Sequence, residues 1–297
     1  MRLSDYTDIL DIEIIRDGEF DTLGNCTDTI DVPYLSFLGK AKFIDKINRS
    51  ISCIITTADI ASQITDTISG LAIAKEPKIE YANLHNYLST DERYVGKTFK
   101  TIIGANCNIS PMALVAENNV IIGDNVTIGP FSVIKERTEI GNNVIIRENC
   151  VIGGKTYNYA IPEDGTIIEL EDCGKVIIED DAEICALCHI DNCPLPTEVT
   201  RIGKECKIGA KVQVAHGSIL GCRVMIPGGT TISGNCNIGN NVFLGPESVI
   251  SNRIRIGEGA HVSIGAVVTR DVSAHETVSG NFAINHDTFI DNLKKMR

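Results

Sequence analysis

Residues 202–268 read IGKECKIGAKVQVAHGSILGCRVMIPGGTTISGNCNIGNNVFLGPESVISNRIRIGEGAHVSIGAVV. Every sixth position is aliphatic: Ile202, Ile208, Val214, Leu220, Ile226, Ile232, Ile238, Leu244, Ile250, Ile256, Val262 and Val268. The residue after each is small or turn-permitting, as at Gly203, Gly209, Pro227, Ser263 and Thr269. The residue two before is apolar or small, as at Cys206, Val212, Val224, Cys236 and Ala266. A period of six fits neither a helix nor a simple strand alternation.

It fits a solenoid of very short strands, each followed by a tight turn. Residues two apart on a strand share a face, so both apolar positions of each repeat point inward. Three strands close a triangular coil of 18 residues, the hexapeptide-repeat pattern of a left-handed parallel β-helix. The rows begin near Ile103 and slip by one at Glu117-Asn118-Asn119. They resume at Ile122 and run to Ile152. The period breaks after Gly153, so residues 154–174 (GKTYNYAIPEDGTIIELEDCG) should loop out. Rows return at Ile178, Ile184 and Ile190 and pass through Pro196 in phase to Ile202. That gives about eight coils. Asn106, Asn125, Asn142, Asn143, Asn240 and Asn241 suit left-handed corner conformations.

Residues 1–97 differ. Apolar runs at 34–38, 51–56 and 71–74 alternate with helical patterns. One of these patterns presents Ile79, Leu84, Tyr87 and Leu88 on a single face. This reads as a small α/β domain. It carries no glycine-rich dinucleotide or phosphate motif. The predicted organisation is an α/β domain (1–97), which the family resemblance given below makes nucleotide-binding, a β-helix with the 154–174 loop (98–275), and a C-terminal tail with a short helix (276–297). Lys294, Lys295 and Arg297 would sit at that helix's C-terminal end, where the dipole favours cations. The fold class is thus mainly β.

The net charge is −12 and the pI near 5.0. Nucleic acid is therefore an unexpected partner, because phosphate binding needs a basic face. No run reaches the roughly 18 apolar residues of a membrane span, and the N-terminus lacks signal-peptide character. A cytoplasmic location is expected. Eleven cysteines invite a disulfide or metal reading. However, Cys107, Cys150, Cys188, Cys206 and Cys236 all fall two before a row aliphatic and act as small inward hydrophobes. Cys185, Cys188, His189 and Cys193 cluster, yet the register points Cys188 inward and away from Cys185. No metal is expected.

Departures from the rows are the candidates for chemistry. His216, in KVQVAHGSILG, lies two past Val214, on the strand's exit. It is either a surface histidine at a turn or a general base, since neutral imidazole takes a proton near pH 7. Ile178 and Val214 are six rows apart, which would place both on one face. The loop would then hang over His216, bringing Tyr157 and Tyr159. Phe37 and Phe43 read as core residues on physical grounds alone.

The chain resembles the UDP-3-O-acylglucosamine N-acyltransferase family and related acyltransferases of nucleotide-linked amino sugars. The likeness rests on SFLGKAKF, ISCIITT, VIGG before an aromatic loop, VIIEDDAEICALCHIDN, KVQVAH, GAVVTRDV and GNFAI. It implies His216 as the base that deprotonates the sugar amine for attack on an acyl thioester. It also implies a nucleotide-sugar site with Phe37 and Phe43 about the base and Tyr157 and Tyr159 in the loop, and a homotrimer with sites between rods. No permanently bound cofactor is implied. The loop reads KTYNYA where the family has a glycine–phenylalanine run, Gly217 follows His216 where an asparagine is usual, and Arg253 replaces a second histidine. The long C-terminal helical extension is missing. These departures favour acyl-CoA as donor, with Arg253, Ala266 and Arg270 as its contacts. The alternatives are a lipid A pathway enzyme using acyl carrier protein, an acyltransferase for a non-nucleotide acceptor, or a non-catalytic sugar-nucleotide-binding scaffold.

Overall fold

The computed structural model describes residues 1–280 and 283–295. Phe282 of the GNFAI segment and Arg297 lie outside the described residues.

Three parallel sheets of nine, eight and eight short strands form the three sides of a left-handed β-helix. Strands one coil apart pair in register, as along Gln213–Thr231–Val249–Val267. The row aliphatics from Ile122 to Val268 fill one continuous core, with Cys150, Cys188, Cys206 and Cys236 buried among them. Each buried aliphatic contributes roughly 1.5–3 kcal/mol before chain entropy is subtracted. Ile103 departs from its expected core position: it is exposed with Ile102, because the first strand of its sheet has a neighbour on one side only.

The corners explain the asparagines, with a correction. Asn106, Asn125, Asn143 and Asn241 adopt φ near +57° to +59°. Asn142 and Asn240 are not in that region. Their side chains instead tie coils together, Asn142 Oδ1 accepting the Asp124 N–H at 2.8 Å and Asn240 Oδ1 the Cys222 N–H at 2.8 Å.

A second correction concerns phase. Ile178 pairs with Ile202 on one side of the rod, whereas Val214 pairs with Ile190 and Ile232 on another. The two residues are on different faces. The coil between Ile178 and Ile202 therefore carries one extra hexad, and the chain leaves the ladder between the strands His189–Asp191 and Val199–Ile202. An insertion that is a multiple of six leaves the spacing untouched, so the rows alone do not reveal it. Pro194 and Pro196 lie in this segment, where the N–H that proline lacks is not needed by a ladder.

The N-terminal part is a five-stranded sheet in the order β1-β5-β4-β3-β2, with β1 Glu13–Arg16, β2 Thr22–Leu23, β3 Tyr34–Leu38, β4 Ile51–Thr56 and β5 Gly70–Ile73. Only β1 runs antiparallel to its neighbour. Helices α1 Ala58–Ala61, α2 Pro77–Leu88 and α3 Glu92–Val95 complete it. Proline opens α2, where its missing N–H costs nothing. Ile79, Leu84 and Leu88 are buried as expected, but Tyr87 is exposed and touches only the rim, its ring 6.1 Å from that of Tyr6.

The loop after Gly153 is clamped to α2. It forms a small hairpin, Tyr159–Ala160 against Ile168–Glu169. Ala160 and Leu170 pack on Ile79 and Ala82. Asn86 donates to the Glu169 carbonyl and accepts from the Glu171 N–H, at 2.8 and 3.0 Å. His85, 0% exposed, is held between the Tyr94 hydroxyl at 2.9 Å and the Glu171 carbonyl at 2.8 Å. Burial holds this imidazole below its ordinary pKa, so it stays neutral and bridges two partners. Helix α4, His286–Lys295, has no buried residue.

Candidate active site

His216 follows the strand Gln213–Val214 at a corner of the rod. The same corner, earlier in the chain, is where the 154–174 loop leaves and where residues 191–198 bulge out. The loop therefore overhangs His216 as expected, although not for the reason of shared face. Gly217 at φ +66°, Asn235 at φ +61° and Arg253 at φ +63° stack along the corner one coil apart. Asn235 N–H bonds the His216 carbonyl at 2.8 Å, and Arg253 N–H the Gly234 carbonyl at 3.0 Å.

A cavity of about 280 Å³ opens beside His216 between rod, loop and N-terminal domain. Phe37, Tyr157 and Arg253 line it. Tyr159 does not line it but supports Tyr157, their rings 4.9 Å apart. Tyr157 itself is 89% exposed at the mouth. Phe37 meets Tyr81 of α2 with ring centroids 5.0 Å apart, giving the cavity an aromatic wall.

Burial holds the His216 imidazole below its ordinary pKa; Asp172 opposes this and Arg253 adds to it. The ring is thus neutral near pH 7 and able to accept a proton. Its Nδ1 is buried and bonds no other described group. Behind it, the Gly217 N–H is held by Thr200 Oγ1 at 3.0 Å and Cys193 Sγ at 3.1 Å. That hydrogen-bonding fixes the backbone from which the imidazole projects.

One coil earlier, Asp191 is 4% exposed and lies 3.2 Å from His189 Nε2. Burial, with Asp172 nearby, pushes its carboxyl up to about 7, while the His216 backbone N–H pulls the other way. Burial, with Lys135, holds His189 down. Both shifts favour the uncharged form of each partner.

Within a single chain the expected donor-binding residues lie apart. Arg253 stands in the His216 cavity. Ala266 is 3% exposed and packs in the rod core, so it offers a ligand only backbone. Arg270 lines a separate hollow farther along the rod, with Thr269 and Asp271. Phe43 also departs from its expected partner. It packs with Ile44, Ile47 and Ile30 in a cluster apart from Phe37, under Lys42 Nζ at 5.0 Å from the ring centroid. Among the described residues no group of three or more Cys, His, Asp or Glu has metal-holding geometry.

Glu198, Asn25, Lys78, Tyr81 and Asn235 also line the cavity and were not singled out from sequence. Glu198 sits in the bulge that the rows concealed. The signal for it was present: two prolines inside a supposed strand, followed by an acid.

Two family models match parts of the rod. Residues 119–154 match bacterial transferase hexapeptide (six repeats), and residues 236–270 match the hexapeptide repeat of succinyl-transferase. A UDP-3-O-acylglucosamine N-acyltransferase of Wolinella succinogenes is 31% identical over 52% of this chain and 48% of its own length. An acyl-[acyl-carrier-protein]–UDP-N-acetylglucosamine O-acyltransferase of Campylobacter concisus is 30% identical over 59% of this chain and 71% of its own. The match thus spans about half of the first of these relatives. A solved UDP-N-acetylglucosamine acyltransferase of Bacteroides fragilis superposes with TM-score 0.54 at 21% identity, over 66% of this chain and 74% of that one, and shares the rod fold. The chain belongs to the hexapeptide-repeat acyltransferases, the family that holds both the UDP-3-O-acylglucosamine N-acyltransferase and the UDP-N-acetylglucosamine O-acyltransferase relatives.

Proposed function

We propose that this protein transfers an acyl group from a thioester to the amino group of a UDP-linked amino sugar. The nucleotide lies toward the N-terminal domain against Phe37 and Tyr81. The sugar amine approaches His216. Nitrogen attacks the thioester carbonyl, the C–N bond forms, the C–S bond breaks, and His216 carries the amine proton to the departing thiol. The observation that carries this reading is a neutral imidazole at the floor of a loop-covered cavity with an aromatic wall.

Acyl carrier protein is the donor in this proposal, in place of the coenzyme A favoured by the sequence departures. The Campylobacter relative's name specifies an acyl-carrier-protein thioester. Acyl-CoA remains the second reading, supported by the exposed Arg270. The active assembly is a homotrimer. Leu114, Val249 and Val267 are exposed apolar residues near the two ends of one side of the rod, contacts suited to a neighbouring rod.

The test is incubation of the purified protein with a UDP-linked amino sugar and either acyl carrier protein thioester or acyl-CoA, read by mass spectrometry. Amide formed from the carrier-protein thioester supports the proposal, and amide from acyl-CoA alone restores the second reading. His216→Ala should lower turnover about 10²–10⁴-fold. Retention within a few-fold removes His216 as the base.

A further inference from the structure

The cavity holds a second titratable group that base catalysis by His216 leaves unused. Glu198 sits where the rod meets the N-terminal domain. Its Oε1 accepts from Asn25 Nδ2 at 3.4 Å and its Oε2 from the Leu195 N–H at 3.4 Å. Both lie beyond the usual N–H···O range. A carboxylate offers about four lone-pair positions, so acceptor capacity remains open toward the cavity. The Asn25 side-chain amide also donates to Asp28 Oδ2 at 3.0 Å, with its backbone N–H at 2.7 Å. One amide thus ties together two carboxylates, one from each part of the molecule.

The charged and titratable groups around Glu198 come from every side. Asp28 comes from the segment between β2 and β3, Lys78 and Tyr81 from α2, and His216 and Arg253 from the corner of the rod. Burial is the largest influence on Glu198. Asp28 acts in the same direction, while the Leu195 and Asn25 hydrogen bonds and Arg253 oppose it. The balance pushes the carboxyl up to about 7.

Acylating an amine that arrives protonated releases two protons from one nitrogen. The balance is R–NH₃⁺ plus R′CO–SX giving R–NH–COR′, HSX and H⁺. His216 accounts for one of them. We propose that Glu198 binds the acceptor's ammonium group and takes the first proton, a role that rests on the functional reading above. The carboxylate becomes a carboxylic acid and the ammonium a free amine, with no bond to carbon changed. The amine then attacks, C–N forms and C–S breaks. His216 takes the second proton and gives it to the thiolate, and Glu198 releases its own to water.

The experiment is the pH profile of kcat/KM, from pH 6 to 9.5, for the unaltered protein, Glu198→Gln, Glu198→Asp and His216→Ala. The unaltered protein should be near half its plateau at about pH 7 and reach it by about pH 8. Glu198→Gln must wait for the amine's own deprotonation near 8, leaving a deficit of about tenfold at pH 6.5–7 that closes above pH 9. Glu198→Asp should keep the unaltered shape at a lower level, and His216→Ala should be low throughout. Parallel profiles for Glu198→Gln and the unaltered protein overturn the assignment alone. No acylation of an amino sugar by the unaltered protein overturns the functional reading and this role with it. Calorimetry on the unaltered protein gives a check that needs no variant. The UDP-linked amino sugar should bind more tightly than its hydroxyl counterpart at pH 8 and lose that advantage below pH 6. Equal binding at both pH values also overturns it.

Discussion

Gly234 lies directly against the His216 imidazole: a methyl group at position 234 would stand 2.6 Å from Nε2 and 2.9 Å from Cε1. No other group crowds that position as closely, so glycine is there to seat the ring. Gly234→Ala should therefore fold, with Tm within a few degrees of wild type, because an imidazole can turn where a backbone cannot. Turnover should fall about 10²-fold as the base leaves its geometry. Steady-state kinetics beside a thermal melt check this. Full activity would mean that the ring position is not used.

Phe37 and Phe43 should separate by phenotype. Phe37 lines the cavity, so Phe37→Ala should raise KM for the nucleotide-linked sugar about five- to tenfold, a loss of about 1 kcal/mol of ring contact. Phe43 packs in a different cluster, so Phe43→Ala should cost about 1–3 kcal/mol of stability and leave KM unchanged. Urea titration and substrate saturation of both variants decide the point. A matching rise in KM for Phe43→Ala would place it in the nucleotide site after all.

Asp191 should give the protein a pH-dependent stability. Its folded carboxyl titrates at about 7 against an ordinary 3.8. Between these values the folded state holds a proton that the unfolded chain has lost, so stability falls as pH rises through the window. The full effect is on the order of 4 kcal/mol at most. Asp191→Asn keeps an acceptor for the His216 N–H and a donor for His189. It should match wild type only below about pH 4, where both side chains are uncharged in both states, and exceed it by about 1–3 kcal/mol at pH 8. An unchanged difference in unfolding free energy between the two proteins at these pH values, from urea titrations, would count against the assignment.

Thr200 should matter for a residue it does not adjoin in sequence. Its hydroxyl is one of two acceptors for the Gly217 N–H. Thr200→Val keeps the shape and removes the oxygen, leaving that amide to the Cys193 sulfur. A cost of about 1–2 kcal/mol is expected, together with a fall in turnover at unchanged KM, because the backbone beside His216 loosens. Loss of stability with wild-type turnover would restrict Thr200 to packing.

Much of the rod is legible in the chain because a coil repeats. Each inward position recurs every six residues, and a row of aliphatics needs no distant partner to be recognised. The same regularity hid the bulge at 191–198, since an insertion of one hexad preserves the spacing and shifts every later row by one face. The overhang of the loop above His216 was anticipated, but from a shared face that does not exist. What brings them together is a shared corner.

The sequence by itself determined the β-helix, its buried cysteines, the α/β character of the first residues and the candidacy of His216, because these follow from local periodicity and from a break in it. Only the tertiary structure decided what surrounds that histidine. Gly234 beneath the ring, Phe37 and Tyr81 as a wall, Arg253 beside it and Glu198 tied to Asn25 are brought together across coils and across two parts of the molecule. Their sequence separations carry no period, and the low dielectric that shifts their protonation exists only once the parts have packed.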